Sequence, residues 1–183
     1  MVGIPGAGKS YFAEHFASTF NALIINSERL RKELFKSPSF SKSEDIVLTK
    51  ITNYMLAQFL KTGQTIIYIG QTNSRTDRAL ITKKANDASY EPLFVWVQTE
   101  PATAQKRATK PIDKSLALNI EQFNDKLKKF KAPNNTEKTV VISGKHTHAS
   151  QTKIVLKHLA TPCKSTTDQK TNIRQSDNNI LIR

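Results

Sequence analysis

Apolar positions change period several times along the chain, and the changes divide it into alternating helices and buried strands. Residues 9–20 set Phe12, Phe16 and Phe20 at i, i+4 and i+8, the apolar stripe of an amphipathic helix. "ALIIN" at 22–26 is a short continuous apolar run and predicts a buried strand. Residues 27–35 return to helical spacing through Leu30 and Leu34, with Ser27 as the candidate cap. "KSPSFSKS" at 36–43 predicts a loop from its Ser, Pro and Lys content. Val47 or Leu48, Ile51, Met55 and Phe59 trace one face of a helix over 44–62, which Gly63 is placed to close.

The same alternation continues to residue 160. Strands are expected at 65–70, 92–99 and 139–143, and helices at 74–89 (opening on a Ser74 cap), 101–110 and 149–160. Proline 101 suits the first turn of its helix. "PIDKS" reads as loop, and 116–130 as a basic amphipathic helix. Apolar strands separated by helices predict an α/β fold, a three-layer sandwich around a parallel sheet. From residue 161 the chain is rich in Thr, Ser, Lys, Asn and Gln, without periodicity until "ILI" at 180–182. The expected organisation is therefore one domain over 1–160 and a polar, disordered tail over 161–183.

Composition changes this picture in two respects. The chain has no apolar run of about 18 residues, which excludes a membrane span, and without a basic-then-apolar leader a secretory signal is not expected. Its single cysteine, Cys163, cannot close an internal disulfide, which suits a reducing cytoplasm; a monomer is expected. Net charge is +13, a field that attracts phosphates, nucleotides and nucleic acids. No RNA-recognition signature, finger spacing or aromatic-basic array accompanies it, so nucleic acid is one partner class and a merely basic proteome the plainer account.

The chemistry is concentrated at residues 3–10, "GIPGAGKS". Gly3, Gly8, Lys9 and Ser10 satisfy the pattern GxxxxGK[ST]. Glycines let backbone N–H groups turn inward around phosphates, Lys9 reaches the β and γ phosphates, and the Ser10 hydroxyl is placed for Mg²⁺. Gly6, Ala7 and Tyr11 complete the expected nucleotide contact, and the helix starting at Lys9 aims its positive end at the same anion. ATP and Mg²⁺ are thus the expected cofactors. Only Met1 and Val2 precede the loop, so the strand that normally leads into it is expected to be truncated or to lie upstream. His146 and His148 lack a third ligand at metal spacing, and no zinc site is expected.

With these residues in view, the chain resembles the P-loop kinases that include polynucleotide kinase, zeta toxin and small-metabolite kinases. The likeness runs over residues 1–160 through "GIPGAGKS", "NSERLR", "YIGQTNSRTDR" and "TEPATAQKRATK". It implies a P-loop, nucleoside-monophosphate-kinase-like sheet and transfer of the ATP γ-phosphoryl group to a hydroxyl-bearing acceptor. Glu28 matches the acid that accepts the acceptor's proton, the alternative being a helix N-terminal acid that favours the dipole. Arg31 matches an arginine that contacts substrate or phosphate, or else lies on a solvated face. Thr72, Asn73 and Arg78 match the family's substrate-side polar residues. Arg107, with Lys106 and Lys110, matches the lid that closes over the phosphates, or an ordinary basic surface. Ile69 and Gly70 stand where the family usually carries Asp, and Pro111 where a second lid arginine is common. A weakly catalytic nucleotide-binding module and a basic nucleic-acid-binding protein are the two alternatives to a kinase.

Overall fold

The computed structural model describes residues 1–111 and 114–160. The expectation for the 161–183 tail falls outside the described residues. The chain runs α1 (Lys9–Phe20), β1 (Leu23–Asn26), α2 (Ser27–Leu34), α3 (Lys42–Phe59), β2 (Ile66–Ile69), α4 (Arg75–Asp87), β3 (Phe94–Gln98) and α5 (Pro101–Thr109). A single 3-10 turn (Lys114–Leu116), α6 (Ile120–Lys129), β4 (Thr139–Ser143) and α7 (His148–Ala160) follow. This is the α/β fold with parallel strands that the alternation predicts. No described helix is long and apolar enough to cross a membrane.

Two parallel pairs make the sheet. Leu23 lies opposite Ile66 and Asn26 opposite Ile69 in one pair, and Phe94 opposite Thr139 and Gln98 opposite Ser143 in the other. Met1 and Val2 stand between the pairs. The Val2 N–H donates to Val95 O at 2.8 Å, the Val97 N–H donates to Val2 O at 2.9 Å, and the Met1 nitrogen donates to Tyr68 O at 2.7 Å. Val2 is fully buried, so this short extended stretch brings the chain into its loop from the middle of the sheet. Their backbone bonds on both sides satisfy groups that would otherwise be costly to bury.

The core joins α1 to the strands: Phe12, Ala13, Phe16 and Ala17 meet Ile67, Ile69, Val95, Val97, Val140 and Ile142. Phe20, expected in that stripe, is 41% exposed and caps its end by stacking on Phe16 with ring centroids 4.4 Å apart. The inward face of α3 also differs from expectation. Glu44, Leu48, Thr52 and Leu56 are buried, whereas Val47 is exposed. A buried ion pair explains the rotation: Glu44 binds Arg31 of α2 and turns its own face inward. Helix starts depart from the sequence by small steps. Asn26, not Ser27, caps α2, and Asn119 with Gln122 forms a capping box that starts α6 at Ile120. Ser74 caps α4 as expected, in a capping box with Asp77.

Candidate functional site

Between Val2 and α1 the chain makes the loop Gly3–Gly8, with its backbone turned by positive φ at three glycines. Gly6, at φ +75°, shows why glycine is required: a Cβ there would lie 2.1 Å from the Ala104 carbonyl oxygen of α5. On the other side, Gly144 after β4 approaches so closely that a Cβ would lie 2.4 Å from Ala7 O. Thr99, at the end of β3, donates its hydroxyl to that same Ala7 oxygen at 2.9 Å. The loop is therefore wedged between α5, the end of β3 and the turn after β4, and its shape does not depend on its own residues alone.

Lys9 opens α1 and folds back over the loop. Its ammonium donates to Gly3 O at 2.8 Å and Ile4 O at 2.9 Å, using two of the three donors it carries. Its pKa is lowered from 10.5 to about 8, first by burial; the Glu28 carboxylate works the other way, and the Lys126 ammonium adds to the lowering. Glu28 and Lys126 thus both act electrostatically on the lysine that sequence reasoning put at the phosphates. Ser10 is partly buried, and its hydroxyl oxygen accepts from Asn26 Nδ2 at 3.3 Å. Tyr11 points outward, 56% exposed, with its ring 4.3 Å from that of His15.

Glu28 sits in the first turn of α2, where its N–H donates to Asn26 Oδ1 at 3.0 Å. The strand β1 and its Asn26 cap aim this turn at the loop. Arg31, one turn on, is buried and bound to Glu44 and Asp45 of α3, so its charge is compensated within the fold. Glu44 is held well below the usual carboxylate range, at about 2: burial alone would raise it, and hydrogen bonds from Ser39, Arg31 and the Phe40 N–H outweigh that.

The residues expected on the substrate side have internal partners. Thr72 is buried and donates its hydroxyl to Met1 O at 2.8 Å. The Asn73 carbonyl accepts from the Lys131 N–H at 2.8 Å. Arg78 is 1% exposed and uses all five N–H donors: two on Glu137, and the rest on the carbonyls of Thr72, Lys131 and Ala132. Thr72, Asn73 and Arg78 therefore tie the segment after β2 to Met1 and to the chain after α6. That geometry makes Arg78 an anchor and leaves it no donor for a substrate. Arg107 is exposed at the end of α5, with one long hydrogen bond to Gly144 O at 3.5 Å.

Sequence reasoning missed three members of this neighbourhood. Asn26 touches Ser10, Thr99 holds Ala7, and Lys126 projects from α6 toward Phe40, its Nζ 5.9 Å from the ring centroid. Asn26 was within reach as a strong capping type directly after a strand. A cleft of about 530 Å³ lined by Ile4, Trp96, Thr99, Leu127, Phe130 and Lys145 lies beside the loop but meets it only at Ile4. Lys9, the lysine expected at the phosphates, does not line that cleft. Among the described residues no cluster of three His, Cys, Asp or Glu side chains could hold a metal.

A family model described as "AAA domain" matches residues 1–133. None of the curated proteins matches the chain in sequence. Solved structures do resemble it. A gluconokinase from Sinorhizobium meliloti 1021 superposes with a TM-score of 0.64 at 15% identity, over 87% of this chain and 89% of that one. Kti12 from Chaetomium thermophilum, in complex with ADP-AlF3, gives 0.63 at 14% identity, over 85% and 94%. Deoxyadenosine kinase from M. mycoides with bound dATP gives 0.55 at 16% identity, over 87% and 97%. At such identities the likeness establishes the shared fold.

Proposed function

Because the chain belongs to the AAA domain family and carries the P-loop kinase fold, we propose that it binds ATP with Mg²⁺ and phosphorylates a hydroxyl. The acceptor class in this reading is a small metabolite, a nucleotide or a nucleic-acid end. The observation that carries it is the setting of Lys9. Its ammonium is fixed on the Gly3 and Ile4 carbonyls at the N-terminus of α1, with the Glu28 carboxylate acting on it from α2. A lysine so placed adds a compact positive charge to the N-terminus of α1, the combination that phosphates select.

The division of work follows from position. Gly3, Gly6, Ala7 and Gly8 line the phosphate path in this reading, and Lys9 binds its terminal end. Tyr11, its ring turned outward, adds only its backbone in the first turn of α1. The Ser10 hydroxyl, held by Asn26, would be a protein ligand to Mg²⁺, which would supply positive charge to neutralise the phosphates. One hydroxyl fits that ion, which keeps several waters and takes most other contacts from phosphate. Glu28 accepts the acceptor's hydroxyl proton as its oxygen bonds to phosphorus and the bond to the β-phosphate oxygen breaks, releasing ADP. Arg107, held by one long hydrogen bond, is available to swing over the phosphates.

Titration with ATP and Mg²⁺ tests this reading: the parent binds, and Lys9→Ala binds at least tenfold more weakly. Equal affinities would remove the basis of the proposal. One observation favours a second reading, a nucleotide-binding module with little turnover. Ile69 is 2% exposed and apolar where related kinases carry Asp. Under that reading ATP binds but no ADP is released over a panel of hydroxyl acceptors.

A further inference from the structure

The Ala7 carbonyl has one hydrogen-bond donor among the described residues, and that donor comes from outside the loop. The Thr99 hydroxyl at the end of β3 donates to Ala7 O at 2.9 Å, across 92 positions of chain. Ala7 is fully buried, so a carbonyl there without a donor would be costly. The turn after β4 closes over the bond. A Cβ on Gly144 would lie 2.0 Å from Thr99 Oγ1 and 2.4 Å from Ala7 O. That turn is itself held, by the Gly144 N–H on Gln98 O and by Gln151 Nε2 on Ser143 O, each at 2.8 Å.

This bond fixes the direction of a neighbouring donor. A trans peptide is planar and sets its C=O and N–H on opposite sides. With Ala7 O turned to Thr99, the N–H of the same peptide, that of Gly8, is directed away from β3 and the turn after β4. The Gly8 N–H makes no hydrogen bond among the described residues, and Gly8 is only half-buried. The Ala7 N–H, by contrast, is spent on Ile4 O at 3.2 Å. Gly8 is also the N-cap of α1 and brings no side chain to it, so the first N–H groups of that helix depend on another acceptor. Its φ of +107° adjoins the same peptide, and a glycine resists rotation about that bond very little. The peptide therefore takes its orientation from Thr99.

We propose that Thr99 is a positioning residue for the nucleotide: its hydroxyl holds the Ala7–Gly8 peptide so that the Gly8 N–H meets the phosphate chain. The proposal rests on the reading that the loop binds ATP. Thr99 does not itself touch the ligand in this arrangement, because its one O–H proton is committed to Ala7 O. It acts through the peptide. Without the hydroxyl, Ala7 O is released to turn over, and a carbonyl dipole in place of an N–H repels phosphate.

The test titrates the full chain and its variants Thr99→Val and Thr99→Ser with ADP and with ATP in Mg²⁺, read by calorimetry. Valine keeps the shape and loses the donor; serine keeps the donor and loses the methyl group. Thr99→Val is expected to bind both nucleotides roughly tenfold more weakly, the size of one hydrogen bond lost from the loop. Thr99→Ser should recover most of that loss. Serine as weak as valine, or valine as tight as the parent, overturns the proposal and leaves the ATP reading standing. A second measurement does not require the valine variant to fold. In the amide nitrogen–proton spectrum of the parent and of Thr99→Ser, the Gly8 resonance should move on addition of ADP. A hydroxyl that only stabilised the fold would shift the urea midpoint of Thr99→Val without changing affinity, and a stationary Gly8 resonance or that result overturns the proposal. A parent that binds neither nucleotide overturns the ATP reading itself, and this proposal with it.

Discussion

Asn26 donates its side-chain amide to the Ser10 hydroxyl oxygen at 3.3 Å, while its Oδ1 accepts the N–H groups of Glu28 and Arg29 at 3.0 and 3.3 Å. One side chain thus caps α2 and orients the hydroxyl proposed for Mg²⁺. The two roles separate by substitution. Asn26→Ala loses the cap and should lower stability by about 1 kcal/mol, read as a shift in urea midpoint at constant slope. Asn26→Asp keeps the cap and should stay within a few tenths of a kcal/mol of the parent. It can no longer donate to Ser10, so its ATP affinity should depend more steeply on Mg²⁺ concentration. An unchanged midpoint in Asn26→Ala would refute the capping role.

Two glycines with similar backbone angles separate strain from function. Gly63 has φ +71° with nothing within 4 Å of a would-be Cβ, and Gly6 has φ +75° with Ala104 O at 2.1 Å. Gly63→Ala should cost about 1 kcal/mol of stability from the left-handed backbone alone and leave nucleotide affinity intact. Gly6→Ala adds a collision with a backbone oxygen of α5, which must push the loop away. ATP affinity should fall even in protein that is still folded at 20 °C by circular dichroism. Equal effects from the two substitutions would mean that α5 does not set the loop.

The alternation of apolar strands with helices was legible because a buried parallel strand and an amphipathic helix differ in period. The phosphate loop was legible because its backbone geometry admits few residue types. Long-range pairing was not. Periodicity counts apolar residues, so it could not put Glu44 on the inner face of α3, where a partner 13 residues away holds it. Arg78 has the residue type and place of a substrate arginine, yet its carboxylate partner lies 59 residues further on. Asn26 and Ser27 are both good caps, and only the β-region backbone of Asn26 decided between them. Lys126 was hidden among exposed lysines of the same helix.

The Arg31–Glu44 pair predicts an acid-sensitive contribution to stability. The Glu44 carboxyl titrates at about 2 in the fold and at its ordinary 4.5 when unfolded. The unfolded chain therefore binds the extra proton first as pH falls. The stabilisation is complete above pH 4.5 and is lost progressively toward pH 2. At pH 7, Glu44→Ala should destabilise by about 3 kcal/mol, since Arg31 is left buried with Asp45 alone. Urea melts at pH 7 and pH 3 provide the check, and the gap between parent and variant should narrow at the lower pH. A gap independent of pH would assign the cost to packing.

Arg78 offers the clearest separation of anchor from ligand. Its guanidinium is bidentate to Glu137, with Nε at 2.5 Å and Nη2 at 3.1 Å, and its Nη1 binds Thr72 O at 3.0 Å and Lys131 O at 2.8 Å. Arg78→Met should cost about 3–5 kcal/mol, because Glu137 keeps its charge in a largely buried place with its main partner gone. Glu137, now held below the usual carboxylate range chiefly by its hydrogen bond from Arg78, should move back toward that range in the variant. Arg78→Met combined with Glu137→Gln should recover part of the loss, the non-additivity expected of a direct pair. Thermal melts of the four proteins measure that coupling. ATP affinity, taken well below each melting temperature, should remain near the parent's in all four. Lost affinity without lost stability would reverse the assignment and return Arg78 to the substrate side of the site.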